Sequence, residues 1–167
     1  MPALVRQATF DDVEAIRAIY AHHVLNGLGT FAETPPDADE MRRRMEGVLA
    51  QDGPWLVAEL DGQVAAYAYA TPFRPRSAYR FTVEDSVYVA PGHVRQGLGL
   101  LVLRELIEMC TASGKREMLA VIGDSGNAAS IKLHERCGFS FRGRFDGVGR
   151  KFGKWVDIVL MQRRLSV

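Results

Sequence analysis

The stretch VYVAPGHVRQGLGLL, at residues 87–101, decides the fold. It reads as the end of a β-strand, a loop begun by Pro91 and Gly92, and a helix that Gly97 and Gly99 lead into. Glycine at a helix start lets the backbone come close to a ligand, and the unpaired N–H groups and positive dipole end of the helix suit a pyrophosphate. We therefore predict that this strand–loop–helix unit binds a pyrophosphate group.

The Gly-x-Gly pattern also has other interpretations. Glycines let a strand and a helix pack closely even where no ligand binds. A Walker loop is excluded because no Gly-Lys-Ser/Thr follows, and a Rossmann fingerprint because the three-glycine spacing is absent and the unit lies mid-chain. Arg95 favours the ligand, since it adds a charge-assisted donor beside the glycines.

The sequence on either side predicts an α/β fold with the order β-α-α-β-β-β-α-β-α-β-β around a mixed sheet. The Asp61-Gly62 pair predicts a hairpin turn, and the unit at residues 81–122 predicts two parallel strands with a right-handed crossover. With 167 residues and no linker, we expect a single domain over residues 1–167. The predicted helices are residues 9–26, a second one that begins at Asp37 or Asp39 and runs to residue 49, 98–110 and 127–137. The predicted strands are residues 5–7, 55–60, 64–70, 81–89, 117–122, 139–145 and 155–161.

The charge balance argues against polyanionic partners. Lys and Arg number 21 and Asp and Glu number 20, so the net charge of +1 gives no broad basic surface for nucleic acid or anionic lipid. No apolar run is long enough to span a membrane, and the first seven residues lack the apolar core of a signal peptide. We expect a cytoplasmic protein with neither nucleic-acid nor membrane partners.

Cysteines and histidines give no metal signature. Cys110 and Cys137 both lie in helical patterns, where we expect buried free thiols in a reducing compartment. His22 and His23 are adjacent and point to different sides of their helix, while His93 lies in the loop. No metal-ligand spacing connects them, so no metal is predicted.

Six segments together carry a resemblance to a known family, whereas no single one is specific. The chain resembles the GNAT superfamily of N-acetyltransferases over nearly its whole length, and within it the phosphinothricin and methionine sulfoximine N-acetyltransferase group. The resemblance implies a GNAT-like mixed sheet of about seven strands flanked by about four helices. The six segments are PWLVAELDG (54–62), TVEDSVYV (82–89), RQGLG (95–99), AVIG (120–123), NAASIKLHERCGF (127–139) and KFGKWVD (151–157).

The resemblance implies acetyl-CoA as co-substrate. It places the pyrophosphate on the backbone of residues 95–100 and the pantetheine arm along residues 87–89, paired with them as a further strand would be. Asn127 and Ser130 would hydrogen-bond the pantetheine or the phosphates. The family signature begins with Arg or Gln where this chain has Val94, but that position mainly offers backbone, so we expect binding to survive. The implied cofactor-binding residues are Val87, Tyr88, Val89, Arg95, Gln96, Gly97, Leu98, Gly99, Leu100, Asn127 and Ser130.

Acetyl transfer to an amine needs a neutral nucleophile, stabilisation of the oxyanion and a proton for the leaving thiolate. Glu84 is our choice of general base, because a carboxylate in a central strand is expensive unless it is paired or functional. Strand alternation places Glu84 and Tyr88 on one face and Asp85 on the other, although a bulge in this strand of the family leaves the parity open. Asp85 is a competing base, and an ion pair of Glu84 with an arginine is a structural alternative. Backbone N–H groups of residues 87–89 would meet the oxyanion.

His134 is the second catalytic candidate. Helical spacing places Asn127, Ser130 and His134 on one face. Many superfamily members have a tyrosine acid at this position, and the phosphinothricin group resembles this chain in having histidine. The imidazole would bond the thioester sulfur or relay protons, or else it is a packed, hydrogen-bonded histidine in the cofactor wall.

Residues 71–81, TPFRPRSAYRF, place three arginines among aromatics. The guanidinium fork suits a carboxylate or a phosphinate, so this segment is either an acceptor pocket or a solvated basic loop. The resemblance favours the pocket, with two residues from an earlier loop covering it. The implied substrate-binding residues are Phe31, Glu33, Arg74, Pro75, Arg76, Tyr79, Thr82, Val83 and Glu84.

Together these observations predict an N-acetyltransferase that acts on the amine of a small amino-acid analogue by direct attack in a ternary complex. The family's habit predicts a homodimer, with residues 143–152 as a plausible contact. Alternatives are another acceptor, such as a protein N-terminus or an aminoglycoside, and a non-catalytic CoA-binding sensor. An aminoglycoside would need an acidic pocket, and a sensor would need neither Glu84 nor His134.

Overall fold

Seven strands form one mixed sheet in the computed structural model, which describes residues 2–165. The strand order across the sheet is β1-β2-β3-β4-β5-β7-β6, and every neighbouring pair is antiparallel except β4 and β5. The strands are β1 (Leu4–Gln7), β2 (Trp55–Leu60), β3 (Gln63–Pro72), β4 (Thr82–Val89), β5 (Glu117–Gly123), β6 (Ser140–Lys151) and β7 (Lys154–Arg164). The helices are α1 (Val13–Asn26), α2 (Ala38–Leu49), α3 (Leu98–Ala112) and α4 (Ala128–Arg136).

The predicted element order is confirmed, and so is the parallel pairing of β4 with β5. Asp61 and Gly62 both have positive φ, 52° and 78°, as a tight hairpin turn between β2 and β3 requires. Asp37 begins α2, because its Oδ1 accepts a hydrogen bond of 2.8 Å from the N–H of Glu40. The last two strands are longer than predicted. β6 has one register shift after Phe141 and another after Phe145, and it continues to pair with β7 as far as Lys151.

The sheet is covered on both faces. On one face α3 buries Val102 and Leu106 against β2–β5. On the other, α1 and α2 bury Ile16 and Met45 against Trp55 and its neighbours. Two buried faces explain why the central strands read as nearly continuous apolar runs.

The strands β4 and β5 separate halfway along their length. β4 pairs with β3 without a register shift as far as Val89, but it pairs with β5 only at residues 82–84. β5 in turn pairs with β7 as far as Gly123. Beyond the Glu84–Leu119 pair, the edges of β4 and β5 therefore face each other without backbone hydrogen bonds between them. The β3–β4 register is continuous, so the bulge that the family resemblance implies is absent from this pairing. Glu84 and Tyr88 therefore share one face of β4.

A buried lysine connects the loop after α1 to the end of β6. The Nζ of Lys151 donates hydrogen bonds of 2.7 Å to the carbonyl oxygens of Gly27 and Thr30, and only 1% of this lysine is exposed. The ring of Phe31 lies so close to β6 that a Cβ at Gly149 would be 2.2 Å from it. The loop therefore packs directly on β6.

Candidate active site

A cleft of about 670 Å³ opens where β4 and β5 separate. Its walls are β4 and β5, the loop after α1, the start of α3 and one face of α4. Eleven of the residues selected from the sequence line it together: Glu84, Val87, Tyr88, Val89, Arg95, Gly97, Leu98, Gly99, Asn127, Ser130 and His134. Gln96 and Leu100, also predicted to contact the cofactor, are not among the lining side chains; Gln96 is exposed and Leu100 packs partly against the core.

The start of α3 forms one end of the cleft. Arg95 and Gly97 both have positive φ, 63° and 78°, so the backbone winds left-handed just before the helix. The first α-helical bond runs from the N–H of Leu101 to the carbonyl of Gly97, at 3.0 Å. The N–H groups of residues 98–100 therefore have no intrahelical acceptor, and they suit an anion. Gly97 is needed for its conformation.

Gly99 has a different function from Gly97. A Cβ at Gly99 would lie 3.3 Å from the Leu133 side chain and 3.5 Å from that of Val89. This glycine therefore lets α3 pack closely against both α4 and β4. The close-packing interpretation of the Gly-x-Gly pattern therefore applies to Gly99, whereas ligand binding at Gly97 stays a prediction.

The facing edges of β4 and β5 fit an extended, amide-bearing ligand. Past Glu84 the β4 edge offers unbonded backbone groups toward β5, as an added strand would need. The carbonyl of Val89 is taken by α1, since the Nε2 of His23 lies 2.8 Å from it. Burial lowers the pKa of His23, which favours the neutral ring with the proton on Nε2.

Glu84 lies at the point where the two strands separate. Its carboxylate is half-buried, and burial first and the charge of Asp85 second raise its pKa, while Arg74 opposes them. No salt bridge to Glu84 occurs within residues 2–165, so the alternative of a structural ion pair is not supported. A partly desolvated carboxylate without a partner is suited to accept a proton.

His134 is buried and hydrogen-bonded through both ring nitrogens. Nε2 lies 2.8 Å from Oδ2 of Asp85, and Nδ1 lies 2.7 Å from the carbonyl oxygen of Ser130. Burial alone lowers the pKa of His134, but the hydrogen bond to Asp85, the charge of Asp85 and the Ser130 carbonyl together raise it. This arrangement agrees with the interpretation of His134 as a hydrogen-bonded residue of the cofactor wall, and neither nitrogen is left free for the thioester.

Asn127 caps α4. Its Oδ1 accepts a hydrogen bond of 3.2 Å from the N–H of Ser130, and its Nδ2 donates one of 3.4 Å to the carbonyl of Gly123. The side chain thus closes the first turn of α4 against the end of β5. It lies in the wall of the cleft, with its amide already engaged.

The arginine segment lies outside the cleft, in the exposed loop between β3 and β4. The guanidinium carbon of Arg74 is 5.1 Å from the Phe73 ring centroid. Arg80 donates a hydrogen bond of 3.1 Å to the carbonyl of Ser77 and lies over Phe81. Of the nine residues predicted to contact the acceptor, only Glu84 lines the cleft; the others are Phe31, Glu33, Arg74, Pro75, Arg76, Tyr79, Thr82 and Val83.

Val83 corrects one expectation. Its side chain is buried in the core beneath α3, on the face of β4 opposite Glu84. Alternation along the strand requires this, because adjacent residues point to opposite faces. A side-chain contact of Val83 with the acceptor is therefore not supported.

The profile of the Acetyltransferase (GNAT) family matches residues 16–139. The chain belongs to this family. It is 54% identical over 162 residues to the phosphinothricin N-acetyltransferase of Alcaligenes faecalis, covering 97% of this chain and 82% of that one. It is 42% identical to the L-methionine sulfoximine/L-methionine sulfone acetyltransferase of Pseudomonas aeruginosa, covering 99% and 96%.

A solved GNAT structure has the same fold. The phosphinothricin acetyltransferase of Sinorhizobium meliloti, determined in complex with AcCoA, superposes with a TM-score of 0.96 at 43% identity, covering 99% of this chain and 90% of that one. The predicted family and fold are thereby confirmed. This GNAT chain is an acetyl-CoA-dependent N-acetyltransferase. The start of α3 and the unpaired edges of β4 and β5 in its cleft suit that co-substrate.

Sequence reasoning missed two groups in this GNAT cleft and one beside it. Helical spacing places His23 on the buried side of α1, but nothing in the sequence indicates its contact with the Val89 carbonyl. Asp85 was considered only as a rival base, because nothing local indicates its contact with a residue 49 positions away. Lys151 belongs to a matching segment, but its burial depends on β6 curving over the first loop.

Neither a membrane helix nor a metal cluster is found in residues 2–165. No helix there is long and apolar enough to cross a bilayer. No group of three or more His, Cys, Asp or Glu side chains is arranged to hold a metal ion.

Proposed function

We propose that this enzyme transfers the acetyl group of acetyl-CoA to the α-amine of a small amino-acid analogue that carries a second acidic or tetrahedral polar group. Phosphinothricin, methionine sulfoximine and methionine sulfone are the leading acceptors, because they are the substrates in the names of the relatives. The observation that carries the proposal is Glu84, a partly desolvated carboxylate at the point where β4 and β5 separate.

We assign the cofactor contacts to two backbone surfaces. The N–H groups at the start of α3, with Arg95 beside them, would hold the pyrophosphate. Apart from the Val89 carbonyl that His23 occupies, the β4 edge at residues 87–89 would pair with the pantetheine arm, and its N–H groups would meet the charge that develops on the thioester oxygen. Acetyl-CoA supplies an activated acyl group when it is bound.

Glu84 would act as the general base. An α-amine has a reference pKa near 7.7–8.0, so much of it is protonated at neutral pH and a positioned base is useful. Glu84 accepts the amine's proton directly or through one water as the amine attacks in the ternary complex. A raised pKa brings the carboxylate closer to the amine's own, which makes this transfer less uphill.

The exposed loop after β3 would recognise the acceptor's acid groups. Arg74 and Arg76 are solvent-exposed, and no salt bridge within residues 2–165 engages either of them. Arg74 also lies near enough to Glu84 to oppose the rise of its pKa. A guanidinium beside the base can hold an amino acid by its carboxylate or phosphinate while the amine reaches Glu84.

A thiol-release assay tests the proposed function. CoA formation is followed across a panel of phosphinothricin, methionine sulfoximine, methionine sulfone, ordinary amino acids, polyamines and an alanine-terminated peptide. We expect the three analogues to give the highest kcat/KM. Faster turnover of polyamines or of the peptide would contradict the acceptor assignment, while leaving the acetyltransferase chemistry intact.

We expect Arg74→Ala and Arg76→Ala to remove the preference for acidic acceptors. A hydrogen bond to a charged group is worth about 1.5–3 kcal/mol, so methionine sulfoximine should exceed its decarboxylated amine roughly 10–150-fold in kcat/KM. Steady-state kinetics on this substrate pair measures the ratio. Arg80→Ala is the matched control, because the Arg80 guanidinium is engaged with the Ser77 carbonyl and the Phe81 ring. An unchanged ratio in both variants would assign the acid group to other residues.

We further propose that the chain forms a homodimer through the outer face of the β6–β7 hairpin. β6 is the last strand of the sheet and has no neighbour beyond it in residues 2–165. Exposed apolar side chains concentrate there, which is unusual for a monomer's surface. They are Phe141, Phe145, Val148, Phe152 and Trp155.

The dimer proposal predicts that Phe145→Arg yields a monomer. The arginine would place a charge within an apolar contact. The dissociation constant of the dimer is expected to rise about 100-fold, as for loss of a central interface residue. Size-exclusion chromatography with light scattering measures the mass of each variant. Leu4→Arg is the control, since Leu4 is equally exposed at the opposite edge of the sheet. A monomeric wild type, or a dimer insensitive to Phe145→Arg, would remove this interface.

We assign the enzyme to the cytoplasm. Both cysteines are buried and unpaired, as a reducing compartment allows. Burial raises the pKa of the Cys110 thiol to about 11, which keeps it protonated and unreactive at neutral pH.

A further inference from the structure

Asp85 and His134 form a buried pair in the wall of the cleft. Asp85 is 6% exposed and His134 is 4% exposed, and the contact joins β4 to α4 across 49 residues of sequence. The Ser130 carbonyl accepts from Nδ1 on the opposite side of the ring. Because both neighbours are acceptors, the ring must donate at both nitrogens or share its Nε2 proton with Asp85.

The hydrogen bonding of this pair is incomplete within residues 2–165. Oδ1 of Asp85 is buried and has no hydrogen-bond partner among residues 2–165, although Asp85 lines the cleft. An unpaired carboxylate oxygen in a desolvated position costs free energy, and a carboxylate with a purely structural role is normally fully satisfied. The unsatisfied oxygen therefore indicates a functional rather than a purely structural carboxylate.

We propose that Asp85 is a positioning residue for the acetyl transfer. It fixes the orientation and the positive charge of His134, and its own negative charge acts on Glu84. This inference rests on the proposed function only where it concerns catalysis. Asp85 follows Glu84 directly on β4, and its side chain points to the other face of the strand. One buried negative charge thus acts on the base on one side and on the imidazole on the other.

The surroundings leave Asp85 as the dominant charge acting on His134. The Phe139 ring meets the imidazole edge-on at 4.9 Å, which adds no charge. Cys137, directly after α4, and Cys110 on α3 also lie within range of Asp85, but burial raises the pKa of both thiols, so both stay neutral. Glu84 and Tyr88 are further titratable neighbours of Asp85, and the Asp85 charge raises the pKa of each.

A nitrogen-15 NMR titration of the His134 ring tests the charge without any turnover. In the wild type His134 should remain protonated through neutral pH. In Asp85→Asn, which keeps the size but removes the charge, it should titrate about 1–3 units lower, the usual effect of losing a close opposite charge. Asp12→Asn is the matched control, since Asp12 is equally buried and paired with Arg6 far from His134 along the chain. A wild-type His134 that titrates at the reference value near 6.5 overturns the proposal, even if Asp85→Asn does not fold.

The pH dependence of kcat, with both substrates saturating, tests the link to catalysis. Loss of the Asp85 charge should lower the pKa of Glu84, so the acidic limb of the profile should move to lower pH in Asp85→Asn. A residue that only supports the fold would reduce kcat without moving that limb, and that result would overturn the catalytic part. Should no acceptor be turned over, the proposed function fails while the NMR titration still decides the pairing.

Discussion

Gly97→Asp is expected to abolish acetyl-CoA binding while the chain stays folded. The new carboxylate would lie among the N–H groups at the start of α3. There it would occupy the position of the pyrophosphate and repel that group. Affinity should fall about 100-fold or more, which corresponds to about 2.8 kcal/mol. Isothermal calorimetry measures the binding, and circular dichroism confirms the fold.

Two controls separate charge from backbone strain in this experiment. Gly97→Asn keeps the size and the tolerance of positive φ but adds no charge, so it should bind much better than Gly97→Asp. Gly92→Asp adds the same charge in the same loop, outside the cleft lining, and should bind almost normally. Gly99→Asp should also abolish binding, but less cleanly, because its Cβ would crowd Leu133. Unchanged affinity in folded Gly97→Asp would contradict the loop assignment.

Glu84→Gln is expected to lower kcat by about 10²-fold or more at neutral pH, the usual cost of removing a general base. The base works as the carboxylate, so wild-type kcat should fall as pH drops through the raised pKa of Glu84. The variant lacks this limb, and its defect should shrink at high pH, where more of the amine is already neutral. A pH series of kcat at saturating substrates measures both effects.

The control for Glu84→Gln is acetyl-CoA affinity, which should stay within about twofold of the wild type. Ser86→Ala, on the same face of β4 two residues further on, should change kcat far less. A wild-type rate and pH profile in Glu84→Gln would point to Asp85 as the base, or to no base at all.

The glycine loop before α3 and the order of elements along the chain were predictable because their causes are local. The glycines, the hairpin at Asp61-Gly62 and the cap at Asp37 each act within a few residues. The end of β6 was not, since the glycines after Phe145 read as a loop, whereas bulges absorb them and the strand resumes its pairing with β7 at Gly149.

Within the site, the positions of Glu84 and of the Gly97 loop follow from strand alternation and helix-start chemistry. The engagement of His134 does not. Helical spacing places it on the correct face of α4, but only the fold shows that Asp85 occupies its Nε2. Val83 differs, because strand alternation alone places it on the face opposite Glu84.

The Lys151 contact makes the cleft's first loop part of the outermost hairpin. Two of the hydrogen bonds that hold residues 27–30 come from Lys151 at the end of β6, and the Phe31 ring rests on Gly149 of the same strand. Others come from α1, through the Tyr20 hydroxyl on Thr30 and the His23 carbonyl on Gly27. Local opening in native proteins proceeds through cooperative units that share such contacts. The loop therefore couples the unfolding of the sheet's edge to the cleft, and fraying of the edge strand would loosen the cleft entrance while the central strands stayed intact.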